Sequence, residues 1–454
     1  MNKYDIIVIG FGKAGKTLAA GFAAEGKKVA IIEKDENMYG GTCINVGCIP
    51  SKSLVVSSQK AVSDNLGTFD EKAVMYREAI LQKRRVTKLL RDKNFQRLDQ
   101  LSNVDVILGT AQFVDKENIN VKTGSGTMEL NGDKIIVNAG STSVILPIPG
   151  IEANPYVFTS ATLMDLEKLP KKLIIVGGGY IGLEFASMYA GFGSQVTVIQ
   201  DGERLIPRED KDVAHEIQKA LEDRGVIFNL GAKIEKLEKG KDMAKVFYEW
   251  QGQKKNLEGE AVLLATGRRP NVEDLHLEKA GIETDPRGAI IVDEKLKTNV
   301  KNIWAAGDVN GGLQFTYVSL DDYRVIWSQI HGGDYNREKR HNVPYSVFLS
   351  PTFSRVGINE EEARKEGHDI KVMKMPVGAV PKAHVLGKTT GFLKALTDKK
   401  TDKILGAMLF CEDSHEMINI VKLAMDMGAT GEILKNQIFT HPTMSEALND
   451  LFSL

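Results

Sequence analysis

Apolar residues in this chain gather in short runs bounded by glycine, and the chain opens on one of them. Tyr4 to Gly10 is an apolar run that leads into Gly10, Gly12 and Gly15; a helix-like segment follows, then a second apolar run, Val29 to Ile32, closed by Glu33. Short apolar runs of roughly four to eight residues between glycine signals predict buried strands, so the order is strand, glycine turn, helix, strand. The same order returns at Leu173 to Val176, with Gly177, Gly179 and Gly182 in the turn and Val196 to Ile199 as the following strand, ending at Gln200. In a Gly-x-Gly-x-x-Gly turn the first two glycines allow a tight bend and close backbone approach to a pyrophosphate. The third lets helix and strand pack, and the helix N-terminus faces the anion. Two such units predict two dinucleotide sites, and an acid about 20 residues on, here Glu33, suits ribose hydroxyls.

Between and after these units the pattern changes. Ser53 to about Leu101 is rich in charges and helix formers, including Gln82-Lys83-Arg84-Arg85 and Leu89-Leu90-Arg91, and reads as a solvated helix face. Val104 to Gly109 and Lys134 to Asn138 alternate like strands, and the turn formers Ala139-Gly140-Ser141 and Pro147-Ile148-Pro149-Gly150 mark a boundary. The first dinucleotide domain is therefore expected at 1–149 and the second at 150–270. The two glycine motifs form the internal repeat, and no low-complexity linker separates the parts.

Composition narrows the class. At 454 residues the chain exceeds what one hydrophobic core serves, so roughly two to four domains are expected. Forty-three glycines and a 42% hydrophobic fraction are ordinary for a soluble α/β enzyme. A net charge of −1 gives no electrostatic footprint for nucleic acid or an anionic membrane. The apolar start is too short to span a bilayer and runs straight into the glycine turn, so it reads as a strand and not as a signal peptide.

The candidate chemistry lies between the two repeats. Of three cysteines, Cys43 and Cys48 fall in Gly40-Gly41-Thr42-Cys43-Ile44-Asn45-Val46-Gly47-Cys48-Ile49-Pro50-Ser51-Lys52. A metal site would need further Cys or His ligands at ligand spacing, and none is visible. A structural disulfide suits a small secreted domain, whereas scarce cysteine with one close pair suits redox work in a reducing cytoplasm. Cys411 near His415 reads as a buried free thiol and not as a metal contact. Two dinucleotide sites flanking a Cys-x4-Cys describe a relay from a reduced nicotinamide to a flavin, and from the flavin to a disulfide.

On these motifs the chain resembles, over essentially its whole length, the pyridine-nucleotide:disulfide oxidoreductases, the family of dihydrolipoyl dehydrogenase, glutathione reductase and mercuric reductase. The resemblance implies an α/β fold with two Rossmann-like domains, for FAD and for NADH or NADPH. Thr266-Gly267-Arg268-Arg269-Pro270-Asn271 resembles the crossover that returns the chain, over 271–339, to the flavin domain. Residues 340–454, entered at Val347-Phe348-Leu349-Ser350-Pro351-Thr352, resemble the C-terminal α+β dimerisation domain and imply a homodimer. On the flavin side the likeness assigns Gly10, Gly12, Gly15, Glu33, Thr42, Lys52, Ala111, Gly140 and Asp308, the last holding ribityl hydroxyls. On the nicotinamide side it assigns Gly177, Gly179, Tyr180, Gly182, Glu184, Gln200 and Gly267. Tyr180 would cover the nicotinamide pocket until the coenzyme enters, and Glu184 would pair with Lys52. By the same likeness Cys48 is the flavin-proximal thiolate and Cys43 attacks an external oxidant. Their thiol pKa must fall below the free value of about 8.5, with the helix start after Cys48 and Lys52 as the causes. His441 and Glu446, in a His-Pro-x-x-x-Glu pattern, resemble the proton-handling dyad that reaches the cysteines of the other subunit.

Departures from the named members shape the expected substrate. No cysteine follows Cys411 and His441 is kept, which argues against mercury reduction. Phe439 stands where dihydrolipoyl dehydrogenases carry a second histidine, no lipoyl domain is visible, and the substrate residues of glutathione reductase find no match. A narrower likeness, carried by Gly10-Phe11-Gly12-Lys13-Ala14-Gly15-Lys16, Tyr39, the run Gly311 to Arg324 and the tail Asp413 to Leu454, is with bacterial members that confer resistance to reactive chlorine. It implies a small oxidant as substrate: hypothiocyanous acid or a related reactive chlorine or thiol-oxidising species, with copper(II) as a further acceptor. The alternatives are a dihydrolipoyl dehydrogenase and, from another class, a redox-sensing flavoprotein without significant turnover. Gln200 is neither the acid typical of NADH users nor an arginine, and Arg204 is near, so the coenzyme is left as NADH or NADPH.

Overall fold

The computed structural model describes residues 2–63 and 67–454. Its first sheet has seven strands, ordered Val104–Leu108, Val29–Glu33, Asn2–Ile9, Gly126–Val137, Asn118–Thr123 and Thr110–Phe113. The seventh strand, Ile303–Ala305, pairs in parallel with the end of Gly126–Val137. The parallel centre is covered on both faces, which is why these strands read as continuous apolar runs: Ile7, Val8, Ala30 and Ile31 have no exposed surface. The late arrival of Ile303–Ala305 in this sheet shows that the chain leaves the first unit and comes back to it.

The second sheet is five parallel strands, ordered Ile227–Leu230, Gln195–Gln200, Lys172–Val176, Ala261–Leu264 and Val157–Thr159. A three-stranded antiparallel sheet, Lys233–Lys239, Ala244–Trp250 and Gln253–Gly259, sits between its last crossovers. Arg268–Pro270 pairs antiparallel with Ser141–Ser143, so the segment leaving the second unit is clasped to the segment that left the first. The C-terminal sheet is antiparallel, ordered Tyr345–Val347, Phe353–Gly357, Ile404–Phe410, Phe392–Asp398 and Ile370–Pro376, with the helix Ser414–Asp426 packed on it.

Helices Cys48–Ser63 and Phe69–Asp99 fill the stretch expected to be helical over 53–101, of which residues 64–66 lie outside the described residues. The long helix starts at a capping box: Thr68 accepts from the Glu71 N–H at 3.3 Å, and the Glu71 carboxylate accepts from the Thr68 N–H at 2.9 Å. One expectation is corrected here. The Gln82–Arg85 face is only partly solvated, because Lys83 is buried and donates to Asp165 Oδ1 at 2.6 Å and to the Met164 carbonyl at 2.9 Å. Arg84 reaches the Asp165 carbonyl at 3.1 Å. The helix lies against 164–167, the approach to the second sheet, and a lysine stem can cross apolar surface while its ammonium finds acceptors. One hydrophobic cluster joins Leu54 and Tyr76 of these helices to Leu183 and Tyr189 beside the second sheet and to Phe353 and Phe410 of the C-terminal sheet. That shared core fixes the positions of the segments that carry the candidate chemistry.

Candidate active site

The cysteine segment is seated directly on the first glycine turn. Gly40 and Gly41 have φ of 97° and 85°, and a Cβ on Gly41 would come within 2.8 Å of the Gly12 Cα, so both the backbone conformation and the close approach require glycine. Cys43 lies in the short helix Thr42–Asn45, and Cys48 is the first residue of Cys48–Ser63. Both thiols are free. The Cys48 thiol hydrogen-bonds Cys43 and is the main reason that the Cys43 pKa is lowered to about 6; the Thr316 hydroxyl, the Cys48 backbone N–H and the Lys16 ammonium act in the same direction, against burial. The Cys48 thiol is pushed up, first by sharing its proton with Cys43 and then by burial, while Lys52 and Thr316 oppose the rise. The two thiols thus share a proton, with Cys43 lowered and Cys48 raised. The helix start adds to this by presenting the Cys48 N–H to the sulfur of Cys43, five residues upstream. Lys16, whose own pKa burial lowers to about 8, also donates to the Gly40 carbonyl at 3.2 Å.

The first turn is closed by groups that hold it from behind. A Cβ on Gly10 would meet the Asn138 carbonyl oxygen at 2.3 Å, and one on Gly15 the Gly10 carbonyl oxygen at 2.6 Å. Asn138 accepts from the Gly15 N–H at 2.9 Å and donates to the Ala306 carbonyl at 2.6 Å, tying turn and returning strand together. Glu33 accepts from the Phe11 N–H at 3.0 Å and the Lys34 N–H at 2.9 Å, with its pKa raised by burial. Ala111 is buried on Thr110–Phe113, just past Gly109, whose N–H donates to the Glu33 carbonyl at 2.8 Å. Asp308 accepts from the Ser141 hydroxyl at 2.6 Å, and Arg268 in turn holds the Ser141 hydroxyl at 2.9 Å and its carbonyl at 2.6 Å. In front of Gly140 the space is open, Thr42 Oγ1 at 3.9 Å being the single near atom. A glycine-rich turn at a helix N-terminus, flanked by the Glu33 and Asp308 carboxylates and open at Gly140, fits the pyrophosphate and sugar hydroxyls of FAD.

The second turn repeats the first at atomic detail. Gln200 accepts from the Gly178 N–H at 2.6 Å across the same 22-residue spacing that links Glu33 to Phe11, and its amide donates to Asp201 at 2.9 Å. A Cβ on Gly182 would lie 2.0 Å from the Gly177 carbonyl oxygen, whereas nothing lies within 4 Å of one on Gly179 or Gly267. Gly182 serves packing, and the open faces of Gly179 and Gly267 fit approach by the second dinucleotide. Arg204 is engaged by Glu361 at 3.0 Å and by the Pro207 carbonyl at 2.7 Å. One turn into the following helix, Glu184 accepts from Lys52 at 2.7 and 2.9 Å and from the Phe348 N–H at 2.8 Å, which links cysteine helix, second unit and C-terminal region. Tyr180 donates to Glu209 at 2.6 Å, and its pKa is raised by burial and then by that carboxylate.

His441 and Glu446 are joined at 2.7 Å between His441 Nδ1 and Glu446 Oε2, and Glu446 also accepts from the Thr443 N–H at 3.1 Å. The hydrogen bond from His441 lowers the Glu446 pKa. The His441 side chain is 70% exposed, and among the described residues neither thiol is a partner of the dyad within one chain. Cys411 is buried, its thiol 3.8 Å from the Met417 sulfur and pushed up to about 12 by burial; His415 packs on the Phe348 ring at 5.4 Å between centroids. Among the described residues no three metal-ligating side chains come together. Sequence reasoning passed over Asn138, Ser141, Arg268 and Thr316 as side chains that act, and Glu209, Tyr345 and Arg355 altogether. The first two stood at a strand end beside a glycine turn, a legible position; the others act only across long sequence separations.

Residues 4–322 match the family model described as pyridine nucleotide-disulphide oxidoreductase, and 343–452 match its dimerisation domain. The chain belongs to the pyridine nucleotide-disulphide oxidoreductase family. It is 49% identical, over 100% of both chains, to the probable pyridine nucleotide-disulfide oxidoreductase RclA of Escherichia coli. A mercuric reductase of Lysinibacillus sphaericus is 34% identical over 98% of this chain and 82% of its own, and a dihydrolipoyl dehydrogenase of Staphylococcus aureus 32% identical over 97% and 94%. The structure of a Cu(II) complex of the HOCl-induced flavoprotein disulfide reductase RclA from E. coli superposes with a TM-score of 0.94 at 48% identity, covering 100% of this chain and 99% of that one. This oxidoreductase is accordingly a flavoprotein disulfide reductase that uses FAD and NAD(P)H and carries a dimerisation domain. No helix among the described residues is long and apolar enough to cross a membrane.

Proposed function

We propose that this enzyme reduces a small sulfenyl-type oxidant, with hypothiocyanous acid as the representative substrate, by way of the Cys43 and Cys48 thiols. The observation that carries the reading is the pair of free thiols in hydrogen-bond contact at a helix start, an arrangement that lowers the Cys43 thiol and raises that of Cys48. The likeness to an HOCl-induced reductase supports an oxidant of this class, and its Cu(II) complex supports copper(II) as a further acceptor. Gly10–Gly15, Glu33, Asp308 and Lys52 would hold FAD, which when bound would supply the passage of two electrons from NAD(P)H to the cysteine disulfide. The Cys43 thiolate attacks the sulfur of hypothiocyanous acid, forming a sulfur–sulfur bond and releasing hydroxide. Cys48 then attacks Cys43, the disulfide closes, and thiocyanate leaves. In sum, two thiols and one hypothiocyanous acid give one disulfide, thiocyanate, water and a proton.

A small oxidant needs little recognition, so the residues supply protons and position more than binding. We infer that the exposed His441, held by Glu446, serves the thiols of a second copy in a homodimer, taking up and returning the proton that Cys43 exchanges. The scarcity of cysteine and the single reactive pair support a reducing cytoplasm as its location. The test is NADH and NADPH oxidation by the purified holoenzyme with hypothiocyanous acid, lipoamide, oxidised glutathione and copper(II), for wild type and Cys43→Ser. Fast turnover with hypothiocyanous acid that is lost in Cys43→Ser is the expected result. Preference for lipoamide would replace this reading by the dehydrogenase, and slow oxidation with every acceptor by the redox sensor.

A further inference from the structure

Tyr180, the first residue of the helix after the second glycine turn, does not end in solvent. Its hydroxyl donates to Glu209 Oε1, and the Tyr345 hydroxyl donates to that same oxygen. The two hydroxyls are 3.4 Å apart and the rings 5.6 Å between centroids. Glu209 has no exposed surface, and its other oxygen faces Arg355 Nη1 at 3.4 Å. Arg355 is fixed in turn by the Arg208 carbonyl at 3.1 Å, the Gly357 carbonyl at 3.2 Å and the Glu362 carboxylate. Tyr345 and Arg355 come from adjacent strands of the C-terminal sheet, far in sequence from the turn they serve.

A buried carboxylate oxygen that loses its donors carries a large desolvation cost, larger than for a neutral acceptor. If Tyr180 alone bonded Glu209, swinging the ring away would strand that oxygen. With Tyr345 on the same atom, Tyr180 leaves and the oxygen stays satisfied. The second tyrosine is itself held in place: its ring stacks on Phe315 at 6.0 Å, Phe315 stacks on Tyr317 at 5.1 Å, and Tyr317 donates to the Pro344 carbonyl at 2.6 Å. Thr316, between Phe315 and Tyr317 in sequence, hydrogen-bonds both thiols.

We propose that Glu209 is the catch of a gate formed by Tyr180, and that Tyr345 is a positioning residue that stands in as donor to Glu209 when Tyr180 swings aside to admit the nicotinamide. The proposal rests on the reading of Tyr180 as the residue covering that entry; it is independent of which oxidant the enzyme reduces. A closed gate weakens apparent coenzyme affinity by the fraction of time it is open, without changing the reaction once the coenzyme is in. The sign for each hydroxyl then follows. Removing the Tyr345 hydroxyl holds the gate shut, and removing the Tyr180 hydroxyl leaves it without a catch.

The experiment is anaerobic rapid mixing of oxidised holoenzyme with NADH or NADPH, reading flavin reduction with no oxidant present. Tyr345→Phe keeps the stack on Phe315 and is expected to raise the half-saturating coenzyme concentration about tenfold with the limiting rate unchanged. Tyr180→Phe is expected to lower it several-fold, and in the Tyr180→Phe background Tyr345→Phe is expected to have no further effect. Glu209→Gln, a near-isosteric change, provides a second route: it weakens the catch, lowers half-saturation, and cancels the Tyr345→Phe effect. An unchanged or lowered half-saturation in Tyr345→Phe, or an equal effect in both Tyr180 backgrounds, overturns the latch. If Tyr180→Ala also leaves half-saturation unchanged, Tyr180 does not cover the entry, and that reading fails together with the latch.

Discussion

Replacing Cys48 by alanine removes the donor that most lowers the Cys43 thiol, and the consequence can be worked from the structure. With a pKa of about 6, Cys43 is about 90% thiolate at pH 7. Without the Cys48 thiol the largest favourable contribution is lost, while burial still opposes the charge; Thr316, the backbone N–H at the helix start and Lys16 remain. A rise to the free-cysteine value of about 8.5 would leave only about 3% thiolate at pH 7, and the remaining donors make a roughly tenfold loss the expected outcome. The assay is the pH dependence of iodoacetamide alkylation of Cys43 in the reduced protein, followed by peptide mass. Because the thiolate is the nucleophile, the wild-type rate should climb through pH 6 and level off near pH 7. In Cys48→Ala the climb should move upward by about two pH units, with the two proteins converging above pH 9. An inflection that stays near pH 6 in Cys48→Ala would refute the shared-proton account and leave Lys16 and Thr316 as the causes.

Two further outcomes test separate parts of the site. Gly182→Ala places a Cβ 2.0 Å from the Gly177 carbonyl oxygen and should lower the melting temperature and the yield of folded protein, whereas Gly179→Ala, with nothing within 4 Å, should melt like wild type yet raise KM for NAD(P)H several-fold; equal melting of the two variants would remove the packing argument. His441→Gln should slow oxidant-dependent turnover by about 100-fold or more while leaving flavin reduction by NAD(P)H unchanged in stopped flow, and a loss confined to the reductive half would remove His441 from thiol chemistry.

What the sequence determined by itself was whatever is local. The two glycine turns, the strands they follow and the acid or amide 22 residues on are written in consecutive residues, because a tight turn at a helix start needs those residue types at that spacing. The Cys43 and Cys48 pair was legible for the same reason, as was the contact between His441 and Glu446, five residues apart. The lowering of the Cys43 thiol was not, since it depends on the Cys48 thiol and the helix N–H meeting its sulfur and on Thr316 arriving from far along the chain. Lys83 reads as one more solvated charge until the 164–167 segment is laid against its helix. The Glu209 cluster draws Tyr180 from the helix after the second glycine turn, and Tyr345 and Arg355 from the C-terminal sheet, onto one buried carboxylate, and no spacing announces it. Local rules fix which groups can exist at a turn; only the packing of the C-terminal sheet against the second unit decides which of them share an acceptor, because a buried charge takes its donors from whatever the fold brings near.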